Sequence, residues 1–110
     1  MTHITDHPSV AMLDQLGGNA FLLATGAKDL MSMDNPQPRL QMRLPACKTN
    51  QRGTHVEISL TPKDEYTLVF FKMRRGDRRH ERDFVGVHRR VQPSDLREAF
   101  SDITGLATQV

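Results

Sequence analysis

An α+β fold is predicted, with an antiparallel meander of three to four strands and helices from both chain ends packed on one face. Three observations predict it. Residues 39–44 and 55–61 alternate apolar and polar side chains, apolar stripes at three-to-four spacing occur only near the chain ends, and consecutive strands are joined by short links.

Element by element, residues 6–16 carry Val10, Met12, Leu13 and Leu16 at helical spacing, with Pro8 suited to a first turn. Gly17-Gly18 stops this helix. Asn19 is then read as the cap of a second short helical piece over 20–24, which Gly26 ends. Residues 27–33 read as an edge strand, closed by a turn with Pro36 and Pro38, since proline cannot sit inside a sheet. In 39–44, Leu40, Met42 and Leu44 share one face and Arg39, Gln41 and Arg43 the other, and Pro45 ends the strand. A polar loop over 46–53 leads to 55–61, where Val56, Ile58 and Leu60 point inward.

After a turn over 62–65, residues 66–73 form the most β-prone stretch. Both of its faces carry apolar groups, Tyr66, Leu68 and Phe70 against Val69 and Phe71, which places it centrally or against a partner. Residues 74–79 read as a hairpin tip, and 81–87 return as a last strand weakened by Gly86. The final helix starts at Pro93-Ser94-Asp95, presents Leu96, Ala99, Phe100 and Ile103 as its buried stripe, and stops at Gly105. Asp95 and Glu98 stand at capping-box spacing.

With 110 residues the chain holds a single core, so residues 1–110 form one domain with 1–7 a flexible N-terminus. Cys47 is the one cysteine, which rules out an internal disulfide and fits a reducing cytoplasm. Neither a signal-peptide pattern nor a membrane-length apolar run is present. Net charge is +2, unevenly spread: from Lys72 to Arg90 eight basic residues meet three acids, and the rest carries seven basic and ten acidic groups. This polarity is the most informative functional feature of the sequence.

The run Leu16-Gly17-Gly18-Asn19-Ala20-Phe21 followed by Thr25-Gly26-Ala27-Lys28, a strand ending in Leu44-Pro45, another closing in Leu60-Thr61-Pro62, and a final Thr104-Gly105-Leu106 resemble a family of short, uncharacterised proteins encoded by bacteriophages and plasmids. The resemblance implies an origin in a mobile element and carries no mechanism. The basic stretch of 74–82 is longer than the family pattern. The same glycines also serve as ordinary helix stops, and their spacing matches neither the phosphate-binding loop nor the dinucleotide fingerprint.

The candidate site is the basic hairpin, Arg74, Arg75, Arg78, Arg79 and Arg82, with Arg39 and Arg43 as secondary contacts on the open sheet face beside His55. Guanidinium groups along a tip can follow a phosphate backbone of DNA or RNA with salt-sensitive, sequence-independent affinity. Tyr66 and Phe71 are the aromatics expected to reach out from that face. The plain structural alternative is a solvated loop in which Asp77, Glu81 and Asp83 pair with arginines at about 0–1 kcal/mol each. A second functional reading is a protein-binding module, such as an inhibitor of a host enzyme or defence complex. Self-association through Val69 and Phe71 as a homodimer is a further expectation.

His3, His7, His55, His80, His88 and Cys47 lack zinc-site spacing, so no metal or cofactor is expected. Cys47 lies beside Lys48 without a nucleophile signature, and the carboxylates are scattered, so the chain reads as a non-enzyme. The nucleic-acid reading depends on whether Arg39, Arg43 and the arginines of 74–82 converge on one face.

Overall fold

The computed structural model of the protein describes residues 8–34, 37–75 and 80–106, with the backbone alone at Ala46, Arg74, Arg75, His80 and Glu81. Helices α1 (Pro8–Leu16) and α2 (Gly18–Thr25) precede strands β1 (Lys28–Met33), β2 (Arg39–Arg43), β3 (His55–Leu60), β4 (Tyr66–Arg75) and β5 (His80–Val91). A 3-10 turn over Pro93–Asp95 leads into α3 (Leu96–Thr104). The strands lie in chain order in one sheet, each pair antiparallel. The α+β meander is as expected, but it has five strands where three to four were predicted. The expected N-terminal tail, 1–7, lies outside the described residues. No described helix is long and apolar enough to cross a membrane.

The expected count is low because of the two edges, where 27–33 reads only as an edge strand and 81–87 as one weakened by Gly86. In β1 almost every residue is exposed, so no apolar alternation marks it as a strand. It is held instead by pairing to β2 and by a hydrogen bond between the Ser9 and Ser32 hydroxyls (2.7 Å) that ties it to α1. At the other edge β5 runs past Gly86 to Val91. Gly86 pairs with Phe70 at the point where Ile103 of α3 packs, and a Cβ there would lie 3.2 Å from the Ile103 side chain. The glycine admits a helix against the strand and does not end it.

One face of the sheet carries the core. Leu40, Met42, Val56, Ile58, Leu68 and Phe70 meet Met12 and Leu16 of α1, Phe21 of α2, and Leu96, Phe100 and Ile103 of α3. In α1 the buried stripe is Ser9, Met12 and Leu16, and Val10 is exposed. Of the expected apolar positions Met12 and Leu16 are buried, and Ser9, turned toward β1, takes the inward place in the first turn instead of Val10. Phe21 and Phe100 meet edge to face with ring centroids 4.9 Å apart, locking α2 to α3. Gly53 backs onto the Phe70 ring so closely that an added Cβ would overlap it.

Helices α2 and α3 end in the same construction. Thr25 Oγ1 donates to the Phe21 carbonyl (2.8 Å) and accepts the Ala27 N–H (3.2 Å), while the Gly26 N–H reaches the Leu22 carbonyl (2.9 Å). Thr104 Oγ1 likewise donates to Phe100 and accepts from Leu106, and the Gly105 N–H bonds to Ser101. Gly26 (φ 74°) and Gly105 (φ 81°) are both left-handed, the conformation that closes a helix and that glycine adopts without strain. At the helix starts the expected caps are absent: α2 begins at Gly18 after Gly17, with no side-chain cap from Asn19. The start of α3 likewise has no side-chain cap hydrogen bond at Asp95. The 3-10 turn led by Pro93 sets its direction instead.

Candidate nucleic-acid interface

Because side chains alternate along a strand, the residues between the core positions point to the opposite face, over which no described helix packs. The register gives its rungs. Met31, Gln41, Glu57, Val69 and Val87 stand side by side across the five strands, and Lys28, Arg43, His55, Phe71 and Phe84 form the next rung. A β-bulge opposite Phe70 and Phe71 brings Phe84 into line with Phe71.

At the centre of this face is a layered cluster. The His55 and Phe71 rings stack, with centroids 5.5 Å apart and planes 11° from parallel. The Arg82 guanidinium lies over the Phe71 ring, 4.4 Å from its centroid, so Phe71 is fully buried on a face without a covering helix. Arg82 also reaches Glu57 (Nη1 to Oε1, 3.5 Å) and donates to Gln41 (Nη2 to Oε1, 3.3 Å). Arg39 takes the other carboxylate oxygen of Glu57 at 3.4 Å. Held between two guanidinium groups, Glu57 is only 7% exposed. The trio carries one net positive charge, so part of the arginine charge is already compensated.

Arg43 lies further out and approaches Asp29 at 3.8 Å with both side chains mostly exposed. Such a pair contributes about 0–1 kcal/mol and leaves the guanidinium accessible. His55 is pinned from below: its Nδ1 and the Thr54 hydroxyl are 2.7 Å apart, and that hydroxyl accepts the Met73 N–H (2.8 Å). This contact fixes the position of the imidazole ring beside the strand backbone. Burial, followed by the nearby charges of Arg43 and Arg82, holds the His55 pKa below the ordinary histidine value, and Asp29 opposes this weakly.

Of the seven predicted arginines, Arg39, Arg43 and Arg82 converge on this face. Arg82 lies in β5, within the last strand as read over 81–87, whereas Arg74 and Arg75, expected in the hairpin tip, belong to β4. Strand β3 pairs with β4 only as far as Phe71, so β4 and β5 continue beyond it as a two-stranded ribbon, pairing Arg74 with Glu81 and Arg75 with His80. Residues 76–79, with Arg78 and Arg79, lie outside the described residues.

The aromatic expectation is corrected. Tyr66 faces the core and Phe71 is covered by Arg82, so neither reaches out; the exposed ring is Phe84, at 67%. The apolar patch expected from Val69 and Phe71 is formed instead by Phe84 and Val87. Phe84 lies two residues from Arg82 in the same alternation, a signal present in the sequence but hidden by the charges around it.

A basic groove was also missed. Near the end of β5 far from the ribbon, Lys63, Arg89 and Arg90 line a groove of about 320 Å³ with Thr61, Pro62, Glu65 and Thr67. A second groove of about 380 Å³ between β5 and α3 is lined by His88, Arg90, Asp95, Glu98 and Asp102. Among the described residues no group of three or more metal-ligating side chains comes together. Cys47 is exposed in the turn after β2. No family model matches the chain, and no curated protein or solved structure matches it.

Proposed function

We propose that this chain is a small accessory binding protein of a mobile element, acting in the cytoplasm without catalysis, that holds nucleic acid by its phosphates. The outer sheet face and the basic ribbon form the binding surface. Arg43, Arg82 and Arg39 on the face, Arg74 and Arg75 of β4, and Arg78 and Arg79 of the sequence that follows supply the cations. The observation that carries this reading is the convergence of Arg39, Arg43 and Arg82 on one uncovered face at the base of an arginine-rich ribbon. A two-stranded ribbon has the dimensions to follow or enter a groove. Arg43 is the most accessible of the three, whereas Arg82 and Arg39 present the outer edges of guanidiniums already oriented by Glu57.

Electrophoretic mobility shifts at low salt, with duplex DNA, single strands and RNA, test it. Binding that falls steeply with salt, and an Arg43→Gln change that lowers the salt slope by about 0.7–0.9 for one lost phosphate contact, are expected. Absence of binding to all three at low salt would refute it. The second reading, a protein-binding module or inhibitor of a host enzyme or defence complex, is favoured by the exposed Phe84 and Val87 beside the arginines, since mixed apolar and arginine surfaces are typical of protein interfaces. Co-purification of a host protein that survives nuclease treatment and is lost on Phe84→Ala would select it.

A further inference from the structure

The outer side of β5 carries, in order from the ribbon, Arg82, Phe84, Val87 and Arg89, a cation at each end of an apolar middle. Its far end opens into the groove of Lys63, Arg89 and Arg90. That groove contains one carboxylate, Glu65, whose Oε2 already accepts the Gln92 amide (3.3 Å), and the Thr61 and Thr67 hydroxyls stand among the cations. Arg90 holds a left-handed backbone (φ 58°) within an irregularity of the β4–β5 register, a strained conformation for an arginine that breaks the strand's alternation there. From Arg82 to Arg89 the strand spans at most about 23 Å at ~3.3 Å per residue.

We infer that this stripe is a track for single-stranded nucleic acid: a base stacks on Phe84, and phosphates are held by Arg82 at one end and by Lys63, Arg89 and Arg90 at the other. The inference rests on the phosphate-binding reading above and specifies its ligand. A duplex keeps its bases stacked inside and has no use for an exposed ring on a flat face, whereas a single strand offers a π-face at every nucleotide. The span corresponds to about four nucleotides, the lower end of single-strand site sizes. A second copy of the chain is the competing occupant, since β5 is a long edge strand. Charge favours the nucleic acid: at the far end of the stripe Lys63, Arg89 and Arg90 meet a single carboxylate, Glu65, which suits a polyanion.

The test is fluorescence anisotropy of the full chain with labelled oligothymidylate and oligouridylate of about twelve nucleotides, and a duplex of the same length, at about 50 and 200 mM salt. Single strands are expected to bind more tightly than duplex. Phe84→Leu, at an exposed position, is expected to weaken single-strand binding about five- to a hundredfold with little change for duplex. Phe84→Trp is expected to keep or strengthen it. Arg89→Gln with Arg90→Gln should reduce the single-strand salt slope by about 1.4, for two lost phosphate contacts. The two oligomers separate DNA from RNA preference.

Equal binding of duplex and single strand with a silent Phe84→Leu overturns the track and leaves the phosphate-binding reading standing. No binding of any oligomer at low salt overturns both. A dimer in sedimentation that becomes monomeric on Phe84→Leu, with oligomer binding unchanged, identifies a second copy as the occupant and overturns the track.

Discussion

Phe70 and Phe71 are adjacent in the chain, both fully buried, and buried by opposite means. Phe70 points into the core, where Gly53 closes against its ring and apolar side chains surround it. Phe71 points to the face without helices, where its cover is the Arg82 guanidinium and the His55 ring. One face is therefore sealed by packing between elements, and the other by long polar side chains lying flat on the strands. A packed face has one arrangement, whereas a face covered by arginine can release its cover to a ligand. This difference separates the scaffold from the binding surface.

The largest effect expected is at Phe70. Phe70→Ala should lower stability by about 3–5 kcal/mol in denaturant unfolding, because helices on one side and strands on the other cannot collapse into the space. Phe71→Ala should cost markedly less, about 2 kcal/mol, since Arg82 and His55 can settle into the gap. Equal costs would mean that the outer cluster is as rigid as the core.

Next comes Gly53→Ala, at about 1–3 kcal/mol, because the methyl must displace the Phe70 ring although the backbone there (φ −61°) accepts any residue. Arg82→Ala should cost about 1 kcal/mol, the loss of its hold on Phe71 and Glu57. The same change should also weaken nucleic-acid binding at low salt. A change in stability alone would assign Arg82 to the scaffold.

The smallest effect is the pH response of His55. Its folded pKa lies below the ordinary value of 6.5. The stability tied to its neutral ring is therefore fully present above pH 6.5 and is lost as pH falls through the lower folded value. Unfolding compared with His55→Asn should show the wild-type chain losing more stability on acidification. NMR titration of the imidazole should give a midpoint below 6.5, and a midpoint above it would contradict the neutral, Thr54-bound ring.

What could be read from the sequence tracks these two modes of burial. Strands β2, β3 and β4 and helix α3 bury one face against apolar partners, so their periods appear in the residues. Strand β1 buries almost nothing and has no period to read. In β5 a bulge shifts the alternation, so residues 88–91 were left out of the strand read over 81–87 and the exposure of Phe84 was missed. The arginine convergence was posed as a question by the sequence and answered for Arg39, Arg43 and Arg82 only by the register. The paired Thr-Gly signals at 25–26 and 104–105 have a local physical use as helix terminations, whatever else the family-like pattern holds. The starts of α2 and α3 were read from side-chain capping, but a glycine turn and a proline-led 3-10 turn set them.

Those two terminations carry a consequence about handedness. At positions 26 and 105 the backbone takes the sense of rotation natural to a mirror-image residue. A chain made by chemical ligation with D-alanine at either position should melt no lower than the parent. The L-alanine versions should melt lower, most of all at 105, where the L-Cβ would also collide with the Asn50 amide.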